Sequence, residues 1–204
     1  MKLLLCFVAT AFLLSFAPSS WAIHIPSSEI QVFESTHYGS KSAENTISDN
    51  LGNYDYWVGK DGLVLGDVNW LAYQIDDLYQ LSQIDFYLLN TNEPYYFMGD
   101  LDIQVSKVQN PSPGSDGDWI TFHEIGGGFQ PGSPYLTVPV DNLTTSWIRL
   151  RMEYNGVGAW GPASPAFYLN EIDFYGTPVP EPATMLLLAS GLVGLAGMRR
   201  KFKK

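Results

Sequence analysis

The sequence predicts an all-β domain, an antiparallel β-sandwich or jelly roll. Three observations predict it. Apolar residues recur with period two, as on strands that bury one face. Clusters of Gly, Pro, Asn and Asp separate these runs. No run inside the domain carries a 3.6-residue apolar stripe of useful length.

The runs follow one another along the chain. Trp70–Ile75 is the first. Ile84, Phe86 and Leu88 then alternate with Gln83, Asp85 and Tyr87, and Asn90-Thr91-Asn92-Glu93-Pro94 supplies the turn. Leu101, Ile103 and Val105 alternate with Asp102, Gln104 and Ser106. The stretch Asn110 to Asp118, rich in Pro, Gly and Asp, closes that run. Trp119–Ile125 comes next, bounded by Gly126-Gly127-Gly128 and Gly132-Ser133-Pro134. Leu136–Val140 is a short run. Ile148, Leu150, Met152 and Tyr154 alternate with Trp147, Arg149, Arg151 and Glu153. Tyr168, Ile172 and Phe174 share a parity against Glu171, Asp173 and Tyr175. Seven or eight strands result, each with one wet face.

The chain has 204 residues, with 21 acidic and 11 basic side chains and one cysteine. All the acidic residues lie between Glu29 and Glu181, where only Lys41, Lys60, Lys107, Arg149 and Arg151 are basic. That stretch is net −16 from five basic and 21 acidic residues. Nucleic acid is excluded as a partner, because phosphate binding needs Lys and Arg. One cysteine excludes a disulfide framework and a multi-cysteine zinc site.

The ends are a different kind of sequence. Lys2, the apolar run Leu3 to Phe16 and the small-x-small ending Ser20-Trp21-Ala22 form a secretory signal peptide, residues 1–22, with cleavage between Ala22 and Ile23. An uncut anchor is the alternative, but the run is short for a span. Cleavage removes Cys6, so the mature chain carries no thiol into an oxidising compartment. The domain then covers residues 23–177. Residues 178–204 hold Pro180-Glu181-Pro182, an apolar stretch from Ala183 to Met198 expected to be a membrane helix, and the basic cluster Arg199 to Lys204. The basic end stays on the cytoplasmic side by the positive-inside rule, which leaves the domain outside.

This tail closely resembles the PEP-CTERM sorting signal of Gram-negative bacteria. The resemblance implies processing near Pro180-Glu181-Pro182 by an exosortase, with the chain passing transiently through the inner membrane. It implies a final place at the cell surface or in the extracellular matrix of an exopolysaccharide producer. A permanent C-terminal anchor is the alternative.

The middle resembles discoidin-type, galactose-binding-like domains. The carrying pieces are Ser48 to Trp57, Asn69 to Ile75, Leu81 to Ile84, Asp102 to Ser106, Trp147 to Arg151 and Asn170 to Gly176. The resemblance implies a calcium site of structural character. Its first-loop oxygens would come from Asp49, Asn53 and Asp55, and a closing carboxylate from Glu171. Several oxygen ligands from loops suit a hard cation. A solvated Asn/Asp-rich turn is the alternative.

Catalytic motifs are missing. His24, His37 and His123 are scattered, without a His-Glu-x-x-His pattern, and there is no Gly-x-Ser-x-Gly elbow or P-loop. The acidic pairs Asp76/Asp77, Asp100/Asp102 and Asp116/Asp118 fit an acidic surface more simply than a glycosidase pair. The expectation is a non-enzyme. Aromatic faces and a few polar groups hold sugars. Tyr95, Tyr96 and Phe97 in one loop and Trp160 in another are the candidate glycan-binding residues. Trp57, Trp70 and Trp147 read as core or strand residues. The expected function is attachment to exopolysaccharide or another glycan. The alternative is a matrix protein that contacts other proteins without recognising sugar.

Overall fold

Two strands run far beyond the alternating segments that predict them. The computed structural model describes residues 22–36, 42–48, 57–59, 63–87, 100–126, 135–154, 168–179 and 189–192. Among them lie nine strands. These are β1 Ile23–His24, β2 Ile30–Glu34, β3 Trp57–Val58, β4 Val68–Tyr87, β5 Asp100–Ser106, β6 Trp119–Ile125, β7 Tyr135–Glu153, β8 Tyr168–Leu169 and β9 Glu171–Pro178. The runs at 70–75 and 83–88 merge into β4, and those at 136–140 and 148–154 merge into β7.

β4 and β7 pair antiparallel from Val68↔Glu153 to Tyr87↔Tyr135, with an irregularity between Gln74 and Tyr79. That irregularity divides the sheet into two leaves. On one side of it the order is β2-β4-β7-β5-β6, with Ile30–Glu34 along Ile75–Leu71 and Leu101–Val105 along Met152–Ile148. On the other side the order is β1-β9-β4-β7. β3 and β8 form a separate pair, Trp57↔Leu169 and Val58↔Tyr168.

The leaves close face to face over one core. Leu71, Tyr73 and Ile75 before the bend and Ile84 and Phe86 after it are buried together with Ile103, Ile148, Leu150, Ile172 and Phe174. The Tyr73 ring meets Phe174 of the opposite leaf edge-on at 5.2 Å, a favoured aromatic geometry. The Tyr73 hydroxyl is satisfied by Thr46 Oγ1 at 3.0 Å, from the short 3-10 turn Ala43–Ile47. Hydrogen bonding makes the burial of that phenol tolerable. All pairings are antiparallel, and the fold is the β-sandwich that the sequence predicts.

The expectation of one wet face per strand fails on the first leaf. Its outer face carries Ala72, Trp119 and Trp147 as a second buried cluster, with Phe33 and Trp70 against it. The segment after β5 is folded over this face. Gly114 lies against Trp70, where a Cβ would sit 3.7 Å from the indole. Trp119 Nε1 donates to the Ser112 carbonyl at 3.1 Å, and Ser112 N donates to Asp118 Oδ2 at 2.9 Å.

Arg149 fastens the strap. It is 1% exposed. Its Nε donates to Gln104 Oε1 at 2.7 Å, Nη1 to the Pro113 carbonyl at 2.8 Å and Nη2 to Asp116 Oδ1 at 2.6 Å. The guanidinium also lies over the Trp119 ring at 4.9 Å. Burial pulls its pKa down, and the Asp116 carboxylate opposes that shift. A buried cation is retained only when paired and hydrogen-bonded in this way.

Arg149→Ala leaves the Gln104 and Pro113 acceptors without their donor and empties a buried volume. It is expected to cost about 3–5 kcal/mol in urea unfolding. Asp116→Asn is expected to cost about 1 kcal/mol, because Asp116 is 73% exposed and water takes its place. Equal costs for the two variants would remove Arg149 as the fastening.

Alkaline pH tests the buried phenols. Tyr79 is pushed up to about 12, first by burial and then by the hydrogen bond to Glu29 and the charges of Glu29 and Asp77. Burial also raises Tyr73 and Tyr87. A pKa raised in the folded state gives stability that is whole below the unfolded value near 10. It is lost as pH climbs from there through the folded values. The melting temperature is expected to fall steeply between pH 10 and 12, and less steeply in Tyr79→Phe; an unchanged slope would count against the account.

Candidate functional site

The register of β4 gives the domain two distinct ends. At one end β4 bends through Asp76, Asp77 and Leu78, all exposed. At the other, Val68 lies beside Glu153, and Tyr87 lies beside both Tyr135 and Glu171. Both long strands fold back at the same place, so their four termini return to this second end. β5 enters there at Asp100 and β6 leaves there after Ile125.

The segments that carry the sequence-predicted glycan residues join the domain at this loop end. Tyr95, Tyr96 and Phe97 fall between β4 and β5, and Trp160 falls between β7 and β8. All four lie outside the described residues. So do Asp49, Asn53 and Asp55, and Pro180, Glu181 and Pro182. Ala22 and Ile23 are described and exposed, with Ile23 opening β1.

Glu171 is described, and it departs from its alternation. Its parity with Asp173 and Tyr175 predicts a polar face, yet it is 3% exposed at the start of β9. Asn170, also buried, donates its backbone N–H to the Tyr87 carbonyl at 3.0 Å. Trp57 pairs with Leu169, two residues before Glu171 in sequence. The donors are all oxygen, as a hard cation requires. Among the described residues, no three His, Cys, Asp or Glu side chains gather to hold a metal ion.

The same end carries a cleft of about 340 Å³ that the sequence reading missed. Asp100, Asp102, Glu124, Arg151 and Glu153 line it, with Gly126 at its rim. Asp100 lies opposite Glu153, and Asp102 opposite Glu124, so two cross-strand pairs carry like charges. Arg151 sits among them. Its Nη2 is 3.1 Å from Glu153 Oε2, and its Nη1 is 3.6 Å from Asp102 Oδ2. Asp102 has its pKa raised, chiefly by burial. Arg151 opposes that shift, and Glu124, Asp100 and Glu153 add to it. Such a cleft offers charged acceptors and one planar donor to a polar ligand.

A turn flanks the cleft. Asp67 N donates to the Val64 carbonyl at 2.8 Å, and Val64 N donates to Asp67 Oδ2 at 3.0 Å. Gly66 takes φ +87°, which only glycine adopts without strain, and its N–H donates to the Tyr154 carbonyl at 2.9 Å. Leu65 stands 75% exposed at the tip.

The other acidic pairs have structural surroundings. Asp116 holds Arg149, Asp118 holds Ser112 N, and Asp76 and Asp77 lie at the far bend. His123 is an exposed residue of β6 beside a register shift.

Beyond Val179 the tail is described only at residues 189–192, which are helical. Among the described residues, no helix is long and apolar enough to cross a membrane.

Residues 178–201 match the PEP-CTERM protein-sorting motif. No curated protein sequence matches the chain. Solved structures match its fold. One is the family 32 carbohydrate-binding module of NanJ from C. perfringens in complex with galactose. It is 18% identical, with a TM-score of 0.57 over 76% of this chain and 98% of that one. Another is the C-terminal domain of a chitobiase from Bacteroides fragilis. It is 18% identical, with a TM-score of 0.56 over 78% and 100% of the two chains. A third is a fucose binding module from Streptococcus pneumoniae, 12% identical, with a TM-score of 0.54 over 75% and 97%. The chain therefore carries a PEP-CTERM sorting motif behind a discoidin-like β-sandwich with the fold of family 32 carbohydrate-binding modules.

Proposed function

We propose that this chain is an exported, non-catalytic glycan-binding protein, processed by an exosortase and retained on exopolysaccharide or another surface glycan. The observation that carries the reading is the conjunction of a sorting motif with a carbohydrate-binding-module fold in one chain. The site is the loop end. Tyr95, Tyr96, Phe97 and Trp160 supply aromatic faces for sugar C–H surfaces. Asp102, Glu124 and Arg151 supply hydroxyl partners at the cleft. The reading places the precursor in the inner membrane of a Gram-negative cell and the product at its surface or in its matrix. A net charge of −16 between Glu29 and Glu181 makes bridging cations necessary for any strongly acidic polysaccharide.

The secreted protein is expected to be retained on the producer's own polysaccharide. Trp160→Ala and Asp102→Asn are each expected to weaken retention about tenfold, or ~1.4 kcal/mol. No retention on any glycan preparation, together with capture by surface proteins of the producer, would favour the structural-matrix reading instead.

Calcium belongs to the same proposal. Asp49, Asn53, Asp55 and Glu171 would hold it, and it would pin the loop end to the start of β9 without taking part in a reaction. Excess calcium over chelator is expected to raise the melting temperature of the wild type and leave Glu171→Gln unmoved. An identical melt with calcium and with chelator would remove the metal.

A further inference from the structure

We infer that the domain is oriented by its own topology: the chain held in a membrane by its tail presents the loop end outward. The inference rests on the reading that the tail enters a membrane, and it adds where the binding end then points.

The direction of β9 carries the argument. β9 starts at the loop end, with Glu171 beside Tyr87, and finishes at the bend, with Pro178 beside Tyr79. Strand hydrogen bonding continues to the next residue, where Val179 N donates to the Leu78 carbonyl at 2.8 Å. Pro180 follows at once. The folded sheet therefore extends into the matched sorting segment, to the residue before Pro180, and no spacer separates them. Between the two ends, Tyr79 to Tyr87 of β4 span roughly 25 Å at the ordinary strand rise.

The amino-terminal side agrees. β1 pairs Ile23 with Gly176 and His24 with Tyr175, so Ile23 lies toward the bend. His24 Nε2 is 3.0 Å from Asp173 Oδ1, which fixes that register. Gly176 has no room for a side chain here, because a Cβ would stand 2.9 Å from the Gln80 carbonyl oxygen. Both apolar segments of the sequence thus leave the domain from one end. The strand ends that flank segments 88–99 and 155–167, and the acidic cleft, belong to the other.

Charge does not draw the domain down onto the surface. Asp76 and Asp77 are exposed beside the tail exit, and Glu29 accepts from Tyr79 there at 2.7 Å. An anionic bilayer surface repels such groups and favours contact through the tail alone.

Residues 23–204 contain no cysteine, so single labels are available. The chain carrying its tail is placed in vesicles of phosphatidylcholine and phosphatidylglycerol that contain a headgroup-attached fluorescence quencher. A fluorophore on Asp77→Cys is expected to be quenched, and one on Leu65→Cys is expected to lose that quenching. Asp76→Cys and Gly126→Cys repeat the comparison with independent surface sites. Equal quenching at both ends, or stronger quenching at Leu65→Cys, overturns the orientation while the tail reading stands. Failure of the protein to float with the vesicles removes the tail reading, and the orientation with it.

Discussion

The antiparallel pairing of β4 with β7 is the constraint on which the rest of the molecule depends. These strands of 20 and 19 residues run through both leaves, so each leaf is templated by the same two chain segments. β2 and β5 add to them on one side of the bend, and β9 adds on the other. A one-residue slip between β4 and β7 would turn Leu71, Tyr73, Ile84 and Phe86 from the core to the outside. The same register decides which chain ends meet. It places the tail exit at the bend and gathers the connecting segments at the opposite end.

Doubling back also creates a problem, because the outer face of the first leaf is aromatic. Trp70, Trp119, Trp147 and Phe33 would form an exposed apolar patch if nothing covered them. The strap from Lys107 to Asp118 covers it with backbone that has few side chains to pack. Arg149 supplies the missing adhesion. A guanidinium offers several donors in a fixed plane, which suits a carboxylate, an amide oxygen and a carbonyl at once. Lysine has the charge but not the fork. Asp116 reaches Arg149 from the solvent side, so one partner keeps its hydration and the pair avoids much of the desolvation cost of a fully buried bridge.

Much of this was legible in the sequence where alternation and turn chemistry agreed. β6 occupies the expected 119–125, and β5 begins one residue before the expected 101. The merging of runs in β4 was not legible, because Asp76-Asp77-Leu78 reads as a break whereas the structure bends there without ending the strand. β2 was missed because a five-residue edge segment, Ile-Gln-Val-Phe-Glu, gives too little pattern to stand out. Arg149 and Glu171 alternate as polar-face residues, and both are buried. Alternation reports which face a residue takes. It cannot report what later covers that face, since the strap is brought over by tertiary contacts. The Pro-Gly-Asp run at 110–118 was the available signal. It is long for a hairpin turn, and length of that kind points to a segment with a surface to cover. The cleft was missed for a related reason: Asp102, Glu124 and Arg151 come from three strands and meet only through register.

That cleft concentrates like charges in opposed cross-strand positions. Elsewhere the pattern is mixed: Asp85 faces Asp173 across β4 and β9, with the Gln83 amide and the Tyr135 hydroxyl donating to Asp85. Arg149 has Asp116, and His24 lies at hydrogen-bond distance from Asp173. At the loop end, Asp100 faces Glu153 and Asp102 faces Glu124, with Arg151 between them. Like charges in directly opposed cross-strand positions cost free energy. A sequence chosen only to fold would place lysine or threonine at one member of each pair. Local conflict of this sort concentrates at sites kept for binding. Here it coincides with the end that gathers the aromatic-rich connecting segments and with the end farthest from the tail. Three independent features, charge conflict, loop convergence and strand direction, select the same surface.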